Sequence, residues 1–238
     1  MNRVGACGQP GCPVPHPNWS LVRRLRTTVW PADTPLRRGH KRIHPDPTAL
    51  LPSVGDARFA PLPSVSHVYL ASTAFAALLE SALHDAQPPA PRVRPAPLML
   101  WNESAVALTH DIRLVDLRDA ELERLAIPRE ALVATQAAHY PCTRVWAQQL
   151  HGRTIGGHPT HGLLWHSRQH ELHTRALASR PALHDLLQAI PAEVAVLWAP
   201  PAPVPALRAA AGGLGPLDSG PGLDYLLDLA AVLDITVL

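Results

Sequence analysis

The chain is expected to fold as a mixed α/β (α+β) single domain, and three stretches carry that expectation. HVYLA is a β-prone run followed at once by the helix former TAFAALLESALHD, in which Ala74, Ala77, Leu78 and Ala82 recur at intervals of three and four. PALHDLLQAIP is a helix bounded by prolines and leads into the apolar strand EVAVLWAP. Near the end GLDYLLDLAAVLD, with an apolar stripe of Leu223, Leu226, Leu227 and Ala230, precedes the short strand ITVL. Strands and helices intermix with no internal repeat, and 238 residues suffice for one substantial core.

Taken in order, residues 1–30 read as an N-terminal arm, 31–205 as the catalytic domain and 206–238 as a helix and strand packed on it. LVRRLRTTVW offers a short helix or strand, and PLRRGHKRIHPDP is a basic element broken by Pro45 and Pro47, its charges set on a solvated face. Gly55 marks a turn before HVYLA, and Glu80 falls two turns into the helix that follows. QPPAPRVRPAP is a connector, LMLW and DIRLVDL are strands, and RDAELERLAIP is a short charged helix ended by Pro128. CTRVWAQQL forms a helix with Val145, Trp146 and Leu150 toward the core, and HGLLWHS is a buried strand ending at Ser167.

Composition excludes several classes. A net charge of +2 with 17% charged residues provides no dense basic field for a polyanion, so no direct nucleic-acid contact is expected. No apolar run is long enough to span a bilayer and the first residues lack a signal-peptide core, which points to a cytoplasmic protein without membrane attachment. The 27 prolines against 14 glycines suggest long ordered loops. Three scattered cysteines, Cys7, Cys12 and Cys142, are an odd set unlike a disulfide framework. Cys7, Cys12 and His16 offer three ligands where structural zinc takes four, and the expectation is no metal.

The part that reads as chemistry is a row: Arg58, Tyr69 and Glu80 recur at an interval of 11. A cation after a glycine turn, a ring in a strand and a carboxylate in the next helix suit an anionic ligand that bears a ring. The bland alternatives are a loop-capping arginine, a half-buried strand tyrosine and a glutamate on a solvated helix face. The competing site is the stretch HGRTIGGHPTHGLLWHSRQHELH, with six histidines from His151 to His173, which would make a metal-dependent hydrolase. It has no His-Glu-x-x-His string, and Pro159 interrupts it. Ser167 lacks the flanking glycines of a nucleophile elbow, and nothing in the spacing selects Asp85 or Asp56 as a carboxylate partner for Glu80.

With these residues in view, the chain resembles the RES domain family, named for a shared arginine, glutamate and serine. GDARFAPLPSVSHVYLAST is similar to the family's Gly-x-Arg-Phe block and Tyr-x-Ala strand, AALLESALHD to its glutamate helix, and HGLLWHSRQ to its later Ser-Arg block, with His161 where an acidic residue often stands. PLRRGHKRIHPDP resembles the opening arginine segment, with Arg38 as the first functional arginine and Arg42 as the alternative. The resemblance covers about residues 36–205.

It implies a fold like that of the ADP-ribosyltransferase toxins and a bacterial toxin that degrades NAD by cleaving the nicotinamide–ribose bond, as an NAD glycohydrolase or NAD phosphorylase. NAD is then the substrate rather than a cofactor, and water or inorganic phosphate the acceptor. The implied partner is a cognate helix-turn-helix antitoxin, with room for a homo-oligomer within the toxin–antitoxin complex. An ADP-ribosyltransferase acting on a macromolecule would use the same residues. In this reading Glu80 stabilises positive charge on the ribose, Arg38 and Arg58 hold the pyrophosphate, Tyr69 stacks on the nicotinamide side, Ser167 orients Glu80, and His40 lines the phosphate side.

Overall fold

The computed structural model describes residues 6–52, 55–199 and 207–237. The boundary expected at 205–206 and the PPAPVP end of the EVAVLWAP strand lie outside the described residues. Asn18 caps a single helical turn, α1 (Trp19–Val22), and is followed by β1 (Thr27–Trp30) and β2 (Pro35–Lys41). β3 (His67–Ala71) then leads into α2 (Ala74–Leu79), whose first turn is capped by Thr73. The helix is shorter than its alanine pattern suggests. It ends at Glu80, which is the C-terminal cap, and Ser81 Oγ turns back to the Ala77 carbonyl at 2.5 Å.

The proline-rich connector contains β4 (Arg92–Val93) and one turn of helix, α3 (Pro95–Leu98). LMLW is therefore mostly not strand: Pro95 at the first helical position starts a helix, and β5 (Trp101–Leu108) begins only after it. β6 (Ile112–Asp116), α4 (Asp119–Arg124), two 3-10 turns at Arg129–Ala131 and Ala137–His139, and α5 (Tyr140–Leu150) follow. The small hairpin β7 (Thr154–Ile155) and β8 (His158–Pro159) precedes β9 (Gly162–His166), α6 (Arg168–Ala176), α7 (Pro181–Gln188) and β10 (Glu193–Trp198). The chain closes with β11 (Leu207–Ala209), β12 (Gly215–Pro216), α8 (Gly220–Leu233) and β13 (Thr236–Val237).

The main sheet runs β1-β6-β9-β10-β3-β2-β5-β11, with β12 also on β5. Its strand pairs are antiparallel apart from β6 and β9. β2 and β3 meet only at Arg37 and Ala71, so the sheet is hinged there. Alternation along β10 sends Val194, Val196 and Trp198 to one face and Ala195 and Leu197 to the other, and both faces are buried. On the second face Leu164, Ala195 and Leu197 pack with Leu36, Val106 and Leu108 from beyond the hinge, a contact that a curled sheet permits. The first face is covered by α5 through Trp146, Ala147 and Leu150, and by the start of α2.

The C-terminal helix docks on the core, but its buried stripe is Leu226, Leu229, Ala230 and Leu233, while Leu227 stays exposed. β13 pairs with β4 rather than the main sheet. The basic element also differs from expectation, since Arg38 and His40 are buried rather than solvated. Among the described residues no helix is long and apolar enough to cross a membrane.

Candidate active site

Glu80 is the centre of the site. Its Oε1 accepts a hydrogen bond from Ser167 Oγ at 2.5 Å and from the Gln169 backbone N–H at 3.3 Å, whereas Oε2 has no partner among the described residues. Ser167 is placed by the end of β9 and is the N-cap of α6, where its Oγ accepts from His170 N at 3.1 Å. One hydroxyl thus caps a helix and holds a carboxylate. The carboxylate lies at the positive end of α6, where unpaired N–H groups favour an anion.

Arg58 is buried on the other side of the site. Its Nη1 donates to the Thr135 carbonyl and to Thr135 Oγ1, both at 2.8 Å, and the guanidinium lies 4.9 Å from the centre of the Tyr140 ring. Thr143 Oγ1 in α5 donates to the Arg58 carbonyl. Burial lowers the Arg58 pKa, opposed by Tyr140 and by the Glu80 charge. Among the described residues its hydrogen bonds reach neutral oxygens only, so the cation is held in place without an anion bonded to it.

Tyr69 joins the two. Its hydroxyl accepts from the Phe59 backbone N–H at 3.2 Å, one residue past Arg58, and its ring meets Trp165 edge-on at 6.1 Å and His67 at 5.7 Å. Burial pushes the phenol pKa up, so the hydroxyl keeps its proton and remains a donor. The sequence row therefore converges, with Ser167 added to it.

The upstream arginines behave differently. Arg38 Nη1 donates to the carbonyls of Pro47 at 2.6 Å and Ala49 at 2.9 Å, which fixes the loop after β2, and burial lowers its pKa to about 10. Its charge also acts on His67, the ring beside Tyr69. Arg42 points away, bonding the Met99 carbonyl and Asp218. His40 uses both ring nitrogens inside the fold, on the His44 carbonyl and Ser104 Oγ, each at 2.9 Å, so neither is left for a ligand.

Several neighbours carried no local signal in the sequence. Thr135 and Tyr140 contact Arg58 from 77 and 82 residues away, and Trp165 and His67 set the angle of Tyr69. Arg168, beside Ser167, is half-buried, acts electrostatically on Arg58, and lines a cleft of about 360 Å³ with Gln136, His139 and Arg175. Its place directly after Ser167 was the available clue.

The rival arrangements do not form. Asp56 pairs with Arg144 and Asp85 with His84, so neither shares a site with Glu80. The six histidines scatter. His161 Nδ1 accepts from Arg113 N, His166 pairs with Asp119, His170 bonds the Leu187 carbonyl, and His173 is buried. Among the described residues they build no group of metal ligands. Of the six, only His158 is exposed, and the others are partly or fully buried.

The curled mixed sheet thus carries a serine-clamped glutamate and a buried arginine on which that glutamate acts electrostatically. The chain belongs to the RES domain family, whose family model matches residues 21–205. Among solved structures, the crystal structure of the M. tuberculosis MbcT–MbcA toxin–antitoxin complex is similar in fold, with a TM-score of 0.53 and 16% identity over 88% of this chain and 97% of that chain. Comparison with curated protein sequences finds no match.

Proposed function

We propose that the protein is a RES-type toxin that degrades NAD by breaking the nicotinamide–ribose bond. The observation that supports this reading is the division of labour at Glu80: one carboxylate oxygen is held by Ser167 and the Gln169 N–H, and the other has no partner among the described residues. When the bond between ribose C1′ and the nicotinamide nitrogen breaks, its electron pair leaves with nicotinamide and positive charge develops on the sugar. A fixed carboxylate at the ribose hydroxyls stabilises that charge more than it stabilises bound NAD, which lowers the barrier. Attack on C1′ by water or inorganic phosphate, with loss of one proton, gives ADP-ribose or its phosphorylated form.

Arg58 supplies the cation for the pyrophosphate. Arg168, which acts electrostatically on Arg58, adds a second guanidinium, and Arg38 bonds its loop through Nη1 alone among the described residues. Tyr69 offers its ring edge and a protonated hydroxyl to the nicotinamide ribose. A cognate helix-turn-helix antitoxin that covers this site is the partner that accords with the family.

The test is release of nicotinamide from NAD by purified protein, followed by chromatography, with and without phosphate. Turnover that vanishes in Glu80→Ala supports the reading, and a phosphorylated product assigns phosphate as acceptor. Full turnover in Glu80→Ala would sink it, and label from NAD retained on a macromolecule would replace it with ADP-ribosyl transfer.

A further inference from the structure

Away from the candidate active site, the fold gathers the three cysteines that the sequence scatters. Cys7 and Cys12 come from the arm before α1, and Cys142 from the first turn of α5. Their sulfurs all lie within 4.8 Å of one another. Cys12 Sγ is 3.7 Å from Cys142 Sγ, and Cys7 Sγ is 3.5 Å from His139 Nδ1, just ahead of the same helix. Neither His16 nor His139 lies within that distance of all three sulfurs, but His139 touches the group at Cys7.

Two of these separations have the length of edges in a coordination tetrahedron, and a metal ion held by the three sulfurs would draw His139 in from the Cys7 side. With Zn–S near 2.3 Å and Zn–N near 2.0 Å, tetrahedral angles place two sulfurs about 3.8 Å apart and a sulfur and an imidazole nitrogen about 3.5 Å apart. A Cys12–Cys142 disulfide would instead draw its sulfurs to about 2 Å and leave Cys7 and His139 without a purpose. All three cysteines are free.

The loop is built for thiolates as well. Gly8 and Gly11 both take positive φ, at 68° and 67°, which lets the backbone turn between Cys7 and Cys12 with open space at each Cβ position. The Cys7 N–H donates to Cys142 Sγ at 3.2 Å. A divalent cation would balance the charge of three thiolates brought this close together.

We propose that Cys7, Cys12, His139 and Cys142 form a closed Cys₃His site for a structural zinc ion. Four protein ligands leave no open position, so the metal is not a reagent. Its effect is to fasten the arm across the start of α5. Arm and helix also meet where Trp146 Nε1 donates to the Pro15 carbonyl at 2.6 Å. His139 and Cys142 flank Tyr140, the ring beneath Arg58, and Thr143 bonds the Arg58 backbone, so the same turn that binds metal seats the arginine.

The test is elemental analysis of full-length protein purified under reducing conditions without chelator from zinc-supplemented cells. About one zinc per chain is expected, falling below about a tenth in Cys12→Ser and in Cys142→Ser. Replacing the metal with cobalt should give the sulfur-to-metal charge transfer and strong visible bands of a tetrahedral thiolate site. Wild-type protein without zinc that also fails to take up cobalt overturns the proposal. So does a Cys12–Cys142 disulfide as the main species in freshly lysed cells, or zinc retained undiminished by both serine variants. The wild-type measurement decides even if a variant fails to fold.

Discussion

Ser167 Oγ lies 2.5 Å from Glu80 Oε1 while accepting the His170 N–H at 3.1 Å, so a single hydroxyl ties the end of α2 to the start of α6. The two elements are 87 residues apart in sequence, and this bond fixes the carboxylate relative to Arg58 and Tyr69. Its geometry makes Ser167 a positioning group: the hydroxyl hydrogen is already directed at Glu80.

Ser167→Ala is expected to lower NAD turnover about a hundredfold, since Glu80 keeps only the Gln169 N–H to orient it and small misplacements are costly to the rate. Loss of the helix cap should cost about 1 kcal/mol of stability. Single-turnover rates and urea unfolding measure the two separately. A variant that loses stability yet turns over NAD normally would show that the serine only caps the helix.

Arg58→Lys should retain the charge and lose the planar guanidinium that reaches Thr135 through Nη1 and Tyr140 through Nη2 and its face. Under the proposed function, the affected quantity is ground-state hold on the pyrophosphate. KM for NAD should therefore rise about tenfold with a smaller change in kcat. An unchanged KM would remove Arg58 from substrate binding and leave it as a buried support for Tyr140.

Much of this site was legible because its signals are local. HVYLA and the threonine-capped helix after it place Tyr69 and Glu80, and the serine after LLWH caps the next helix. What lay beyond reach depends on contacts across the chain: Thr135 and Tyr140 beneath Arg58, and Cys142 beside Cys7 and Cys12. Local competition explains the errors in element length. Ser81 bonds back to Ala77 and ends α2 early, and prolines that read as a connector begin α3. Histidines carry little periodicity of their own, so the fold decided which of them became core residues.

Acid should destabilise the protein earlier than carboxylate titration alone would. His40, His67, His161, His170 and His173 all have pKa values lowered from 6.5, first of all by burial. The unfolded chain therefore binds more protons than the folded one between that value and the lowered ones, so stability falls as pH falls through this window. Tm should be nearly level from pH 8 to 7 and drop below about pH 6.5. A Tm that holds level to pH 5 would contradict it.

Gly39 controls how closely α2 approaches the sheet, and so where Glu80 sits. A Cβ at this position would lie 2.0 Å from Ser81 Oγ, 2.9 Å from Ser81 Cβ and 3.2 Å from the Ala77 carbonyl. Ser81 is the residue after Glu80, so the clash acts on the end of α2 that carries the carboxylate. Gly39→Ala is expected to destabilise by about 1–3 kcal/mol, the usual result of overpacking a tight contact. If the helix end yields by about 1 Å, NAD turnover should fall about a hundredfold. The obstruction is mainly one side chain, so adding Ser81→Gly to Gly39→Ala should restore much of the activity, although the new glycine keeps some of the stability loss. Nicotinamide release and Tm measured on both variants separate these effects. Full activity in Gly39→Ala would mean that α2 shifts without disturbing Glu80, and no recovery in the double variant would trace the damage to the Ala77 backbone.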